Sequence, residues 1–376
     1  MKKTDLNQLL ETNLSPLARI SPSRFIELEE CALRGAIAAS NISRLLPGSP
    51  NARLGSIIHK MFELASKRLI NDAASFNEKW NETLAQTEAA MASGGLEEHL
   101  VPLELHVKNF EVKKNLCLLG IKKLLQLRTM EPLYKDQPRT TSSTAGISGS
   151  ELSFETQDKK VGGVIDAIHY GEHGVEIIDY KSGTIVEETP AGAIIKKAYQ
   201  VQLKIYASLY YLKTGSWPVK LKLLGINQQV FDVPFTPEEC LLLIEQVKQK
   251  LEEINGLLVP GQQWEDLASP SPAACRFCAF RPVCKKYVNS IKEGNDWPVD
   301  AAGIIVEKQK FKNGYRVVLQ TTGGKLVVRG LDENRHPVLN EPVENIMLFN
   351  LRPDTSAEHF TGGIFTASFA TPFSFL

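Results

Sequence analysis

Val161-Gly-Gly-Val-Ile-Asp166-Ala-Ile-His-Tyr-Gly-Glu-His-Gly-Val-Glu-Ile-Ile-Asp179-Tyr-Lys181 is the stretch that decides the fold. Two β-prone runs flank Gly171-Glu-His-Gly174, a loop of turn formers, and read as an antiparallel hairpin. With Tyr170 facing Val175, Asp166 falls opposite Asp179, and Lys181 projects from the same face as Asp179, two residues on. Like charges facing each other across a strand pair destabilise it. Both aspartates also sit in runs that are apolar on both faces, as in central strands, where unpaired charge is costly. A bound divalent cation would remove that cost. The plainer alternative is an exposed hairpin on which Lys181 neutralises two surface aspartates.

Two carboxylates and one ammonium on a single face suit phosphodiester hydrolysis. Asp166 and Asp179 are candidate ligands for one or two Mg²⁺ or Mn²⁺ ions, hard cations that take oxygen donors, with the Tyr180 carbonyl completing the shell. The metal would polarise the phosphate and lower the pKa of attacking water. Lys181 would orient that water and stabilise developing negative charge.

Outward from the hairpin the texture of the chain changes several times. Residues 1–50 read as an arm with a short helix that Ser23 opens and that runs to Cys31, before Pro47, Gly48 and Pro50 break it. Residues 51–150 read as helical, with apolar spacing over 54–66 and further helices over about 76–92 and 101–129. Residues 136–150 form a Ser-, Thr-, Gly- and Pro-rich loop. Residues 151–290 hold the hairpin, a helical pattern over 190–213, one or two strands in Val219–Val233 and a helix over 237–256 that Thr236-Pro237 starts. From about 300 the chain is strand-rich, with a hairpin over Tyr315–Arg329, and residues 300–376 read as a small separate all-β barrel of OB type.

The chain has 376 residues and six cysteines, three of them in Cys275-Arg-Phe-Cys278-Ala-Phe-Arg-Pro-Val-Cys284. No apolar run approaches a membrane span, the N-terminus lacks a signal-length apolar stretch, and the protein reads as cytoplasmic. Disulfides are then not expected, and the cysteine cluster suggests a metal centre; three thiolates call for a fourth ligand, and spacing alone leaves zinc and iron–sulfur open. Cys117 and Cys240 lie in apolar helical patterns and read as core. The formal net charge is zero, which argues against a simple DNA-coating protein but not against DNA as a substrate. Lys113-Lys114, Lys122-Lys123 and Lys196-Lys197 either line a groove or are solvated helix faces. No Gly-x-x-x-x-Gly-Lys-[Ser/Thr] segment supplies an ATP motor, so long-tract processing of duplex DNA would need a separate helicase partner.

Gly163-Val-Ile-Asp166, followed by Ile178-Asp179-Tyr180-Lys181-Ser-Gly, resembles the active-site signature of the PD-(D/E)xK nucleases, specifically their RecB-like branch. That branch carries Gln-x-x-x-Tyr on a helix, which Gln202-Leu-Lys-Ile-Tyr206 matches, and an upstream helical histidine, which Leu54-Gly-Ser-Ile-Ile-His59 matches. The resemblance implies a restriction-endonuclease-like α/β (α+β) core with a helical insertion. His59 would join Asp166 and Asp179 as metal ligands, Lys181 would be catalytic, and Gln202 and Tyr206 would support the site or contact the DNA backbone. Glu151 fits the acidic residue that often precedes the first aspartate strand. The segment Ser21 to Cys31 resembles the N-terminal cysteine segment of iron–sulfur nucleases, among them CRISPR-associated RecB-like exonucleases, the AddB nuclease domain and exonuclease V. This implies a [4Fe–4S] cluster on Cys31, Cys275, Cys278 and Cys284, with Zn²⁺ as the alternative.

The likeness spans about residues 20–288. It implies a metal-dependent DNA exonuclease acting on single-stranded or helicase-unwound DNA, in DNA repair or phage defence. Two other readings are a non-catalytic subunit that keeps the nuclease fold for DNA binding and a zinc-stabilised interaction protein. In the C-terminal region, Phe360, Phe365, Phe369, Phe373 and Phe375 either stack on bases of single-stranded DNA or fill a small core.

Overall fold

The computed structural model describes residues 14–40, 42–129, 149–171, 173–190, 192–259, 264–289, 291, 297–354 and 358–370. Most of the expected 136–150 loop, together with Phe373 and Phe375, lies outside them.

The decisive hairpin forms in the expected register. Strands β2 (Gly162–Gly171) and β3 (Gly174–Lys181) pair Tyr170 with Val175 and Ala167 with Ile178. The antiparallel strand β1 (Gly149–Glu155) flanks β2, and β6 (Lys220–Gly225) runs parallel to β3, with β7 (Val230–Asp232) at the far edge, in the order β1-β2-β3-β6-β7. A parallel neighbour requires a crossover. Here it consists of a small hairpin, β4 (Val186–Thr189) with β5 (Gly192–Ile195), and helix α6 (Lys197–Thr214). The helical pattern expected from residue 190 therefore begins seven residues later, because Gly192–Ile195 pairs as a strand.

Helices cover both faces of this sheet. Leu203, Ile205 and Leu209 of α6 join Ile165, Ile177 and Leu223 of the sheet in one core, along with Ile244, Val247 and Leu251 of α7 (Pro237–Leu257). Thr236 starts α7 with a reciprocal cap: its hydroxyl accepts from Glu239 N (3.3 Å) and its own N donates to the Glu239 carboxylate (2.7 Å). On the opposite face, α3 (Pro50–Ser66), α4 (Ala73–Ser93) and α5 (Phe110–Thr129) build a second core around Phe62, Phe76, Trp80 and Phe110 that reaches Ile178 and Tyr180 of β3.

The N-terminal arm closes over the first core. Ile20 bridges Val161, and the Asn255 side chain on α7 holds Leu17 by both its N–H (2.7 Å) and its carbonyl (2.9 Å). Ser23 does not cap a helix here. Pro22 opens a 3₁₀ turn, Pro22–Arg24, and α1 (Phe25–Glu30) follows without a side-chain cap; Cys31 is extended between it and α2 (Ala32–Ala39).

The C-terminal strands form one seven-stranded sheet, ordered β12-β13-β10-β9-β8-β11-β14. They are β8 (Ala301–Phe311), β9 (Gly314–Thr321), β10 (Gly324–Leu331), β11 (Asn345–Phe349), β12 (Arg352–Pro353), β13 (His359–Thr361) and β14 (Ala367–Ala370). Among the described residues no pairing joins β12 to β14, and the sheet is in part compatible with the expected OB-like barrel. It does not stand apart from the rest. Along β11, Ile346 and Leu348 enter a small core of the sheet's own, while Met347 and Phe349 enter the main core. The period of two thus buries both faces of the strand. Phe369 is core, and Phe360 and Phe365 pack partly buried against cores.

Candidate active site

At the mouth of the β2–β3 hairpin the strands part. Their ladder ends at Ala167–Ile178, one position short of the two aspartates. The Tyr180 amide N–H donates instead to the Asp166 carboxylate (Oδ2, 2.8 Å). On its other edge β3 continues pairing with β6 as far as Lys181–Gly225, so Asp179 and Lys181 stay on a fixed strand while Asp166 leans in from its neighbour.

Asp179 and Lys181 share a face, as their spacing requires, and meet as an ion pair at 2.7 Å. Gln202 on α6 links them. Its amide nitrogen donates to Asp179 Oδ1 (2.9 Å) and its carbonyl accepts from Lys181 Nζ (3.0 Å). Tyr199, one turn earlier on α6, lays its ring 4.4 Å from the Lys181 ammonium. Sequence reasoning passed over Tyr199, although its position three before Gln202 places it on the same helix face. Tyr206, one turn after Gln202, is buried: a Cβ on Gly163 would lie 3.2 Å from its ring and 2.8 Å from Pro22. It therefore packs under the strand that carries Asp166.

His59 enters from α3. Its Nδ1 lies 3.9 Å from Asp166 Oδ2, and the charge of Asp179 also acts on it. The imidazole keeps 40% of its surface, yet it sits deep enough in the cleft for burial to outweigh Asp179 and lower its pKa. A neutral ring keeps a lone pair to give to a metal. Gly55, one turn earlier, sets this approach: a Cβ there would meet Ser182 Oγ at 2.6 Å. On the sheet face below, the rings of Phe62 and Tyr180 stack at 4.6 Å and hold α3 to β3. Glu151 falls in β1 between the Ser150–Ala167 and Leu152–Ile165 pairs, across from Asp166, and its side chain lies outside the described residues.

Burial raises the Asp179 pKa, and the charge of Lys181 pulls it back. Its Oδ2 is buried and accepts no aligned hydrogen bond; it faces the Lys181 ammonium at 2.7 Å. An oxygen so placed fits a hard cation. No three of His, Cys, Asp or Glu among the described residues stand close enough together to form a ready-made ion site. Lys181 neutralises Asp179 in this arrangement.

Beside the site lies a cavity of about 780 Å³ between α3 and α5 on one side and the β6–β7 turn on the other. Ser182 and Tyr199 form part of its wall. Lys113 lines it and Lys196 reaches to 5.7 Å from the Tyr199 ring, whereas Lys114 lies over Trp80 and Lys122 and Lys123 are exposed.

Cys31, Cys275, Cys278 and Cys284 line one small cavity of about 20 Å³, together with Arg34 and Arg281. Burial pushes Cys275 up to about 11 and Cys284 up to about 12. Burial favours the protonated thiol at both, so a metal would have to draw those protons off; the four cysteines supply the donor type that zinc or an iron–sulfur cluster takes, although they too do not stand as a ready-made ion site. Cys117 and Cys240 are fully buried elsewhere in the cores.

Arg281 braces the cysteine loop. Its guanidinium donates to the carbonyls of Cys275 (2.8 Å) and Cys278 (3.1 Å), and also to Asp300 (2.8 Å) and Asn350 (2.7 Å) of the C-terminal region. The Asp300 carboxylate accepts as well from Tyr287 OH (2.6 Å) and Asn350 N (2.8 Å).

The family model of the PD-(D/E)XK nuclease superfamily matches residues 19–285. The chain belongs to that superfamily. None of the curated proteins matches it. Among solved structures it is similar to a Eubacterium rectale protein provisionally described as an exonuclease, with 11% identity, a TM-score of 0.37, and coverage of 68% of this chain and 85% of that one. No helix among the described residues is long and apolar enough to cross a membrane.

Proposed function

We propose that this chain is a Mg²⁺- or Mn²⁺-dependent deoxyribonuclease. The observation that carries the reading is the Gln202 bridge, which fixes Asp179 and Lys181 as a unit beside Asp166. Asp166, Asp179, His59 and the Tyr180 carbonyl would hold the ion, which supplies positive charge to the phosphate and acidifies water. Lys181 orients the attacking water and stabilises the charge that develops on the phosphate oxygens. Gln202 keeps Lys181 aimed, and Tyr206 supports the Asp166 strand. Attack on the end of a single strand, or of a strand opened by a separate helicase in repair or phage defence, is the mode this reading favours.

Incubation of purified protein with end-labelled DNA and Mg²⁺ or Mn²⁺ should give cleavage that Lys181→Ala slows by about 10²–10³. If wild type and Lys181→Ala are equally inert, the chain is a binding subunit and the enzyme reading fails. The four cysteines are assigned to a [4Fe–4S] cluster, whose anionic charge Arg34 and Arg281 would face. Anaerobically purified protein should be brown and carry about four irons per chain. Colourless protein with one zinc would replace that assignment with the Zn²⁺ alternative.

A further inference from the structure

Asp179, Gln202 and Tyr199 together hold the Lys181 ammonium. Asp179 Oδ2 faces it at 2.7 Å, the Gln202 carbonyl accepts from it at 3.0 Å, and the Tyr199 ring centre lies 4.4 Å away. The contact with Asp179 competes with the proposed ion. Asp179 Oδ1 accepts from the Gln202 amide, whereas Oδ2 has no aligned donor. An ion drawn to Asp179 would therefore take the oxygen that Lys181 faces, and its charge repels the ammonium.

With Oδ2 engaged, Gln202 and Tyr199 remain. A single carbonyl fixes one N–H of the ammonium and leaves its long, flexible stem free to swing. An aromatic face attracts a cation over a broad area and needs no aligned hydrogen. Tyr199 is well anchored for this. It lies in the first turn of α6, where its N–H donates to the Lys196 carbonyl (3.0 Å), and its side chain packs partly buried against the main core. It precedes Gln202 by three positions and so shares its helix face. The Lys181 side chain keeps only 13% of its surface, which places the contact toward the shielded, stronger end of cation–π pairs. Lys196, a second ammonium near the same ring, stands farther off at 5.7 Å.

We infer that Tyr199 is a positioning residue, whose ring keeps the Lys181 ammonium in place when Asp179 Oδ2 is given over to the ion. The inference rests on the nuclease reading for that ion, and its test includes a readout that needs no cleavage. Full-length protein labelled with ¹³C at lysine Cε gives a signal for Lys181 that Lys181→Ala removes and so identifies. Protons above an aromatic face resonate upfield. The Lys181 signal should lie upfield in wild type and in Tyr199→Phe, and should stay there when Mg²⁺ replaces EDTA. In Tyr199→Leu, Mg²⁺ should move it to the position of a solvated lysine. With DNA and Mg²⁺, Tyr199→Leu should lose about tenfold in kcat at unchanged KM, and Tyr199→Phe should retain most of the rate. In a Lys181→Ala background, Tyr199→Leu should cost nothing further. A wild-type signal at the solvated position, or equal losses in Tyr199→Phe and Tyr199→Leu, overturns the inference. A change in KM alone overturns it too, by making Tyr199 a contact for DNA. A ring-shifted Lys181 that Tyr199→Leu releases in Mg²⁺, in a protein that cuts nothing, would support the anchor while defeating the nuclease reading. Efficient cutting with Tyr199→Leu indistinguishable from wild type would do the reverse.

Discussion

Lys181 meets Asp179 at 2.7 Å on the hairpin, and Arg281 meets Asp300 at 2.8 Å beneath the C-terminal sheet. Both pairs are largely withdrawn from water, yet their surroundings differ. Asp300 accepts from Arg281, Tyr287 and Asn350, and Arg281 also satisfies the carbonyls of the cysteine loop. That network compensates its desolvation with directed bonds. Asp179 keeps one buried oxygen without an aligned donor, behind the cleft that His59 and Ser182 line. On the proposed nuclease reading, the contrast separates a charge pair that fixes structure from one held for chemistry.

Each side of that contrast can be broken. The largest effect belongs to Lys181→Ala, which should lower kcat by about 10²–10³. The fold should survive, by circular dichroism, because Asp179 without its partner takes up a proton. Asp300→Ala should do the opposite: it strands Arg281 and should cost about 3–5 kcal/mol in denaturant titration, with kcat per folded molecule kept. Equal losses of stability in the two variants would erase the distinction.

Asp179→Asn sharpens it through pH. Burial raises Asp179, so the metal-free fold holds that proton more tightly than the unfolded chain. Stability from this group is present below the ordinary carboxylate value of 3.8 and is lost as pH rises through the raised value. In EDTA the Tm of Asp179→Asn should therefore gain on wild type as pH climbs above about 4. Mg²⁺ should close the gap by stabilising wild type alone. The smallest effect is expected for Gly55→Ala. The added methyl pushes on the Ser182 hydroxyl, costing about 1–3 kcal/mol, and should lower activity by shifting His59.

Legibility in the sequence followed the range of the interactions. The hairpin register depends on alternation and on the turn between Gly171 and Gly174, which themselves pair where a four-residue loop was expected, so Asp166, Asp179 and Lys181 could be placed together by counting. Gln202 and Tyr206 lie a turn apart, and Tyr199 was open to the same arithmetic. Counting missed the parting of the strands at Asp166, which is set by a side chain taking the Tyr180 N–H. Arg281 with Asp300, Asn255 with Leu17, and the cavity wall shared by α5 and the β6–β7 turn join residues with no local pattern in common. Ser23 looked like a cap because serine precedes acidic residues, but Pro22 at the start of a 3₁₀ turn settled the geometry first.

The grip of α7 and the cysteine segment on the N-terminal arm has a consequence for the protein's birth. Leu17 is fastened by a residue 238 positions later and Arg34 by one 240 positions later. At about 5–20 residues per second on the ribosome, the arm waits on the order of tens of seconds for its partners. Leu28 packs against Gly35 of the next helix and Ile20 gains Val161 on the way, but Leu17 lacks its Asn255 partner until α7 is made. The arm of a nascent chain is thus completed only after α7 and the segment leading to the cysteines have been made.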